Sequence, residues 1–114
     1  DRKIFMLNWY KNLYVGETVK KKEEKLIRKI ERGRKTPGVY VVTLASNERD
    51  QLDILSVSQM EGREKRGISP MIAGLAGSYP EALELVEQMA ADVFQETGGG
   101  DIRTYLITAE REGK

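Results

Sequence analysis

A short apolar run followed by a clearly delimited amphipathic helix dominates the C-terminal half of the sequence. Residues 71–76 are apolar and rich in small side chains, which predicts a buried strand that backbone or a helix approaches closely. Ser78, Pro80 and Glu81 then form the pattern of a capping box at a helix start, with proline in the first turn. Gly98 and two further glycines end the helix. The predicted apolar stripe of this helix comprises Ala82, Leu83, Val86, Met89, Ala90 and Val93, with Phe94 at its edge.

One further helix, three further strands and a long loop complete the predicted secondary structure. Residues 17–33 predict a helix with an apolar stripe on one face and basic side chains on the other. Residues 39–45 are nearly all apolar and predict a buried strand, and residues 52–58 predict a second strand that forms an antiparallel hairpin with it. Residues 59–70 are charged and indicate a long exposed loop, and residues 102–109 predict the last strand.

The predicted fold is a single α/β (α+β) domain spanning residues 1–114, with the element order α-β-β-β-α-β. A β-α-β unit over residues 71–109 predicts a right-handed crossover between parallel strands. The hairpin adds antiparallel strands, so we expect a mixed sheet with two helices packed on it. The aromatic-rich segment 1–16 suits either an extra strand or an extra helix, and residues 110–114 form a polar tail.

The composition excludes most of the common catalytic and metal-binding chemistries. The chain of 114 residues has no His and no Cys, which removes disulfides, thiolate nucleophiles, Ser-His-Asp triads and most transition-metal sites. A Ser–Lys or Thr nucleophile and a carboxylate site for Mg or Ca stay open. The apolar runs are too short to span a membrane. We therefore expect a cytoplasmic protein with no membrane association and no cofactor, and the balance favours one without a catalytic site.

The net charge of +1 conceals an asymmetry between the two parts of the chain. Residues 1–36 hold twelve basic and five acidic side chains, whereas residues 37–114 hold seven basic and thirteen acidic ones. A ridge on the first predicted helix concentrates the positive charge in Lys21, Lys25, Arg28 and Arg32. Glu17, Glu24 and Glu31 each lie four residues before a basic side chain, which favours a solvated, self-paired face. The alternative is a surface for nucleic acid or an acidic partner.

The turn between the predicted strand and the C-terminal helix is a candidate anion site. Gly74, Gly77 and Ser78 lie next to a helix N-terminus, where free backbone N–H groups and the helix dipole attract anions. No Lys follows to neutralise a phosphate, and Glu81 already lies in the first helical turn. Close packing of the strand and the helix explains the same glycines without any ligand.

The element order resembles the core of restriction-endonuclease-like folds over residues 17–109. Those enzymes bind Mg through an acid on the second strand and an E-x-K motif on the third, so the resemblance implies a site of Asp53 with Glu23 or Glu24. The third predicted strand carries no charged residue, which favours an inactive relative over an active enzyme.

The N-terminal aromatic cluster is a candidate interface. Trp9, Tyr10 and Tyr14 lie close together in the sequence and suit a surface covered by a partner protein or an identical subunit, or the domain's own core. Residues 68–109 resemble small bacterial proteins of unknown function, which implies no activity. We therefore predict a non-catalytic binding or interaction module, with a small-anion site and a nucleic-acid surface as the alternatives.

Overall fold

The computed structural model describes residues 6–45, 47 and 49–113. Within these ranges a four-stranded mixed sheet carries helices on both faces, which confirms the predicted α+β class. The strands are β1 (Trp9–Val15), β2 (Tyr40–Leu44), β3 (Leu52–Ser56) and β4 (Ile72–Ala76). A 3-10 turn at Lys20–Lys22 precedes the helices α1 (Glu23–Glu31), α2 (Val57–Lys65), α3 (Tyr79–Thr97) and α4 (Ile102–Glu112). Residues 1–5 of the aromatic-rich segment and Lys114 of the polar tail lie outside the described residues.

The sheet has the strand order β1-β4-β2-β3, so β1 and β3 are its two edges. β4 runs parallel to β1 and antiparallel to β2, and β3 is antiparallel to β2. The predicted hairpin of β2 and β3 is therefore confirmed. The segment 1–16, left open between strand and helix, supplies β1, and β1 is the parallel partner of β4.

The prediction of a strand at residues 102–109 is wrong, because this segment is most of α4. Asp101 caps the helix through its side chain, which accepts a hydrogen bond from the Thr104 N–H. Ile102, Leu106 and Ala109 are spaced four and three residues apart and are buried together against the sheet. Their helical spacing outweighs the β-branched composition of the segment, and residues 110–112 of the predicted polar tail belong to the last turn of α4.

The prediction of a long loop at residues 59–70 is also wrong, because α2 begins at Val57. Ser56 accepts a hydrogen bond from the Gln59 N–H, and the Gln59 side chain accepts one from the Ser56 N–H. This capping box ends the strand and starts the helix. Val57 and Met60 are buried against the sheet. Tertiary packing therefore stabilises a helix in a segment whose charged composition predicts a loop.

Both predicted helices are found, the first of them with altered bounds. The first, predicted over residues 17–33, covers only residues 23–31 because a 3-10 turn replaces its first turns. α3 matches its prediction and ends where Gly98 adopts a left-handed conformation with φ of 75°. Among the described residues, no helix has the length and apolar character needed to cross a membrane.

The sheet separates two hydrophobic clusters. One lies under α3 and α4 and includes Tyr10, Met89 and Leu106, and the other lies under α1 and α2 and includes Ile30 and Met60. Consecutive strand residues alternate between these clusters, as the pleat requires. β1 therefore presents one set of side chains to α3 and another to α1, at an edge where solvent also reaches it.

Candidate functional site

A cleft of about 660 Å³ opens between the edge strand β1 and one flank of α3. The start of α1 closes one end of the cleft, and Tyr105 of α4 contributes to its wall. The lining residues are Tyr10, Asn12, Leu13, Tyr14, Val15, Lys20, Glu23, Gln88, Asp92, Gln95, Glu96 and Tyr105. A concave site of this volume, walled by aromatic and polar side chains, has the size of a small-ligand pocket.

An irregularity in β1 shapes one wall of the cleft. Trp9 is paired with Ile72 and Tyr14 with Gly74, so the four residues 10–13 lie opposite the single residue Ala73. Such a bulge interrupts the ladder and redirects side chains, and bulges are common at sheet edges and beside functional sites. Here the bulge presents the backbone and side chains of residues 10–13 to the cleft.

A hydrogen bond between strand and helix crosses the cleft. The Tyr14 hydroxyl donates to Asp92 Oδ2 at 2.5 Å, and both side chains are half-buried. Burial raises the pKa of the Tyr14 phenol well above its ordinary value, and the Asp92 carboxylate raises it further. The phenol therefore stays protonated and holds the Asp92 carboxylate at a defined position.

The second phenol, that of Tyr10, is buried in the floor of the cleft, with 5% of the residue exposed. Burial raises its pKa, and a hydrogen bond to Asn12 opposes part of that rise. The neighbouring Lys11 N–H donates to Glu110 Oε1 of α4 at 2.9 Å. The end of α4 thereby occupies a backbone donor of β1 and fixes the wall that carries Tyr105.

The charged side chains of the cleft are predominantly acidic. Glu23, Asp92 and Glu96 face a single cation, Lys20, among the described lining residues. The Lys20 ammonium lies 3.6 Å from the Glu17 carboxylate, outside the cleft, so part of its charge is balanced there. The cleft therefore combines carboxylates, amides and neutral phenols, a set of groups that suits an organic cation.

The aromatic residues proposed as an interface are divided between the two faces of the sheet. Tyr10 and Tyr14 lie on the α3 side and take part in the cleft. Trp9 packs on the α1 side, and its Nε1–H donates to Glu31 Oε2 at 3.0 Å. Because neighbouring residues of a strand point to opposite faces, the three rings do not form one surface.

The glycine turn proposed as an anion site is occupied by a carboxylate of the chain itself. Glu81 Oε1 accepts from the Gly77 N–H at 2.7 Å and from Thr18 Oγ1 at 2.6 Å, and Oε2 accepts from the Thr18 N–H at 3.1 Å. Gly74 lies within the β-sheet ladders, and Ser78 Oγ caps α3 by accepting from the Glu81 N–H at 3.2 Å. An external anion would have to displace Glu81 from the helix N-terminus.

Two glycines make room for this carboxylate. A Cβ on Gly16 would overlap the Glu81 carboxyl group, and a Cβ on Gly77 would overlap the Thr18 hydroxyl. The capping box predicted for α3 therefore forms only in part. Ser78 fulfils its predicted role, whereas the Glu81 side chain joins α3 to the loop after β1.

The basic ridge is exposed and is not paired as predicted. Lys21, Lys25, Arg28 and Arg32 are all exposed. Of the three predicted acidic partners, Glu17 lies beside Lys20, and Glu31 accepts the bond from Trp9. In the described part of the chain no ion pair joins Glu24 to Arg28. The pairs of Glu17 with Lys21 and of Glu31 with Lys35 fail because Glu17 precedes the regular helix and Lys35 follows its end. Nothing in the structure explains why Glu24 and Arg28, both within α1, are not paired.

The carboxylates of the nuclease-like interpretation do not converge. Asp53 lies on edge strand β3 and pairs with Arg63 of α2 at 2.9 Å. Glu23 lines the cleft beside β1 at the opposite edge of the sheet, and Glu24 is exposed on α1. Among the described residues, no three or more acidic side chains are grouped so that they could hold a metal ion. The helix at 102–112 also removes the last strand on which the resemblance depended.

Sequence patterns indicate only one side of the cleft. The tyrosines of β1 stand out by composition, but their partner Asp92 lies 78 residues away along the chain. Gln88, Asp92 and Gln95 are spaced four and three residues apart on α3, and that spacing is the only local sign of a polar helix flank.

Comparison with known proteins gives no assignment for this cleft. The chain matches no protein-family model, no curated protein and no solved structure. Its function is therefore inferred from the geometry and chemistry of the described residues.

Proposed function

We propose that this protein is a non-catalytic binding module that takes an organic cation into the cleft between β1 and α3. The observation that carries the proposal is the joint placement of Tyr10, Tyr14 and Tyr105 with three carboxylates around one concave site. The ligand class is an ammonium or guanidinium group on a small aliphatic stem. Its source is either a free amine or a Lys or Arg side chain of a peptide.

Physical complementarity supports an organic cation over an anion. Carboxylates attract the positive charge and accept its N–H donors, and the faces of aromatic rings attract cations through their quadrupole. The raised pKa values of Tyr10 and Tyr14 keep both phenols neutral. Their oxygen atoms can still accept hydrogen bonds from the N–H groups of a cation. Gln88 and Gln95 add amide groups that orient a polar stem.

A titration with two cationic probes tests the proposal. Agmatine represents the free amine and an Arg-containing tripeptide represents the peptide side chain, and isothermal calorimetry measures binding of each. Asp92→Asn removes one carboxylate from the cleft and keeps its shape. Loss of a charge-assisted contact of about 1.5 kcal/mol corresponds to roughly tenfold weaker binding.

The matched control is Glu87→Gln, which makes the same change in net charge at an exposed position of α3 outside the cleft. We expect this variant to bind the cationic probe as the unmodified chain does. Equal weakening by Asp92→Asn and Glu87→Gln would reduce the effect to net charge and contradict the proposed site. Absence of binding by both probes at low ionic strength would contradict the proposed function itself.

A second candidate function is polyanion binding by the basic face of α1. The observation in its favour is that Lys21, Lys25, Arg28 and Arg32 are exposed and have no acidic partner among the described residues. Four such side chains along one face suit a phosphate backbone, whose binding weakens steeply with salt. Replacement of Lys25 and Arg28 by Gln should weaken binding of a single-stranded RNA and flatten its salt dependence. An unchanged salt dependence in that variant would exclude the face as the binding surface.

A further inference from the structure

The flank of α3 that faces away from the cleft is apolar and exposed. We call it the α3 stripe, and it consists of the exposed Tyr79, Leu83, Ala90 and Phe94 together with the half-buried Val86. These residues are spaced four, three, four and four apart, which places them along one side of a helix. Tyr79, Leu83 and Phe94 are 47%, 45% and 66% exposed. The predicted apolar stripe of this helix is thus partly core and partly unburied surface.

The neighbouring edge strand β3 has an unpaired side. The bonds from the Val57 N–H to the Val39 carbonyl and from the Ala45 N–H to the Gln51 carbonyl mark hydrogen-bonded pairs of the β2–β3 ladder. Because such pairs alternate along antiparallel strands, Leu52 and Ile54 direct their backbone N–H and C=O groups away from β2. Their side chains are half-buried and pack toward α3. The open strand edge and the α3 stripe therefore lie on the same side of the molecule.

The opposite edge of the sheet is closed. The bulge at residues 10–13 disrupts the regular spacing of β1, and Glu110 of α4 accepts the Lys11 N–H. Bulges and covering elements are two of the means by which proteins prevent strand pairing at an edge. Neither device is found at β3 among the described residues, apart from the Ser56 N–H, which the Gln59 side chain occupies. Of the two edges of the described sheet, β3 is therefore the one that is open to pairing with another strand.

We infer that a second copy of this chain docks on β3 and the α3 stripe, across a two-fold axis. Antiparallel pairing of β3 with its copy, centred on Ile54, places Ile54 opposite itself and Leu52 opposite Ser56. Asp53 then lies opposite Leu55 of the copy, so no two Asp53 carboxylates face each other. A register centred on Asp53 would place like charges in direct opposition, which destabilises a strand pair. The sheet would continue through both copies.

The spacing of the layers agrees with contact between the two α3 stripes. α3 packs over β4, β2 and β3, and neighbouring strands lie about 4.8 Å apart. Two helices centred over β2 in the two copies would therefore lie about 14 Å apart, since three strand spacings separate them. This gap is wider than the 8–10 Å of directly packed helices. Bulky side chains such as Tyr79, Leu83 and Phe94 are long enough to fill a gap of this width from both sides.

The exposed area is sufficient for the centre of an interface. A large apolar side chain offers roughly 200 Å², so the exposed fractions of Tyr79, Leu83 and Phe94 amount to roughly 300 Å² per copy. A stable interface buries about 800 Å² on each partner and has an apolar centre within a polar rim. The strand edge and the half-buried Leu52 and Ile54 supply part of the remainder.

Sedimentation of the chain and of two matched double variants tests the inference. Leu83→Lys with Phe94→Lys places two charges on the stripe. Ile68→Lys with Ile107→Lys places two charges at other exposed apolar positions, which are 38% and 36% exposed. We expect a dimer for the unmodified chain and for the control at micromolar concentration, and a monomer for the stripe variant. Circular dichroism verifies that both variants are folded.

Amide hydrogen exchange gives an independent readout of the strand pairing. In the dimer the Ile54 N–H should exchange slowly, although it points away from β2 in its own chain, and dilution should accelerate its exchange. A strictly monomeric unmodified chain would overturn the inference. So would a dimer that survives the stripe substitutions, or one in which the Ile54 N–H exchanges as fast as in the monomer.

Discussion

Replacing Glu81 by Gln tests whether the chain's own carboxylate occupies the N-terminus of α3. Glu81 is 9% exposed and accepts three hydrogen bonds, two from Thr18 and one from the Gly77 N–H. Gln retains Oε1 as the acceptor of two of these bonds. Its NH₂ group replaces Oε2 and faces the Thr18 N–H, so two donors would meet and one would stay unsatisfied.

The expected loss in the free energy of unfolding is about 2 kcal/mol. An unsatisfied buried donor costs about 1–3 kcal/mol, and loss of a negative charge at a helix N-terminus adds about 0.5 kcal/mol. For a domain of this size, 2 kcal/mol corresponds to a fall in Tm of roughly 8 °C. The control is Glu84→Gln, an exposed position on the same helix with the same change in charge.

The stabilisation by the Glu81 carboxylate depends on pH, and the direction of its pKa shift gives the sign of that dependence. Burial alone would raise the pKa of Glu81, but the hydrogen bonds from Thr18 and Gly77 outweigh it and lower the pKa below its ordinary value. A carboxyl group with a lowered folded pKa contributes stability that is fully present above the unfolded pKa of about 4.3. That contribution disappears as the pH falls below this value and through the folded pKa.

Urea unfolding of the unmodified chain and of Glu81→Gln at several pH values measures both quantities. The difference between the two midpoints should be constant from pH 7 to about pH 5 and should shrink at lower pH. Other carboxyl groups titrate in both proteins and cancel in the difference. A variant that unfolds at the same urea concentration as Glu84→Gln, or a difference independent of pH, would refute the assignment of Glu81.

Two further substitutions test the elements that sequence patterns misassigned or left without a role. Ser56→Ala removes the cap of α2 and should cost about 1 kcal/mol in urea unfolding, whereas exposed Ser58→Ala should cost far less. An equal cost would contradict the cap. Arg63→Met breaks the half-buried pair with Asp53, at 2.9 Å, and should destabilise the fold by about 1 kcal/mol relative to Lys65→Met. No difference between these two would show that the pair contributes nothing to stability.

End signals make a helix predictable only where the composition of the segment agrees with them. Ser78, Pro80 and Gly98 delimit α3 in the sequence as they do in the structure. α2 carries an equivalent signal, Ser56 followed by Gln59, but its charged composition favoured a loop. Propensity and capping patterns conflict in such segments, and contact with the rest of the chain decides between them.

The candidate site was predictable only in part, because its members come from distant parts of the chain. The aromatic residues of β1 were identified as functional candidates, and two of them line the cleft. Asp92 on α3 was not identified, since its role depends on the distance to Tyr14 across the sheet edge. The sequence pattern places Glu81 in the cap of its own helix, whereas its carboxylate binds the loop after β1.

The sequence alone determined the mixed α+β class, the bounds of α3, the β2–β3 hairpin and the separation of basic and acidic segments. Those properties depend on local periodicity, end signals and composition, which neighbouring residues encode. The tertiary structure alone decided the parallel pairing of β1 with β4 and the division of Trp9 and Tyr10 between two faces. The strand order, and the face of the sheet on which each side chain lies, depend on which distant segments bury each other's apolar surface. No local pattern specifies that choice.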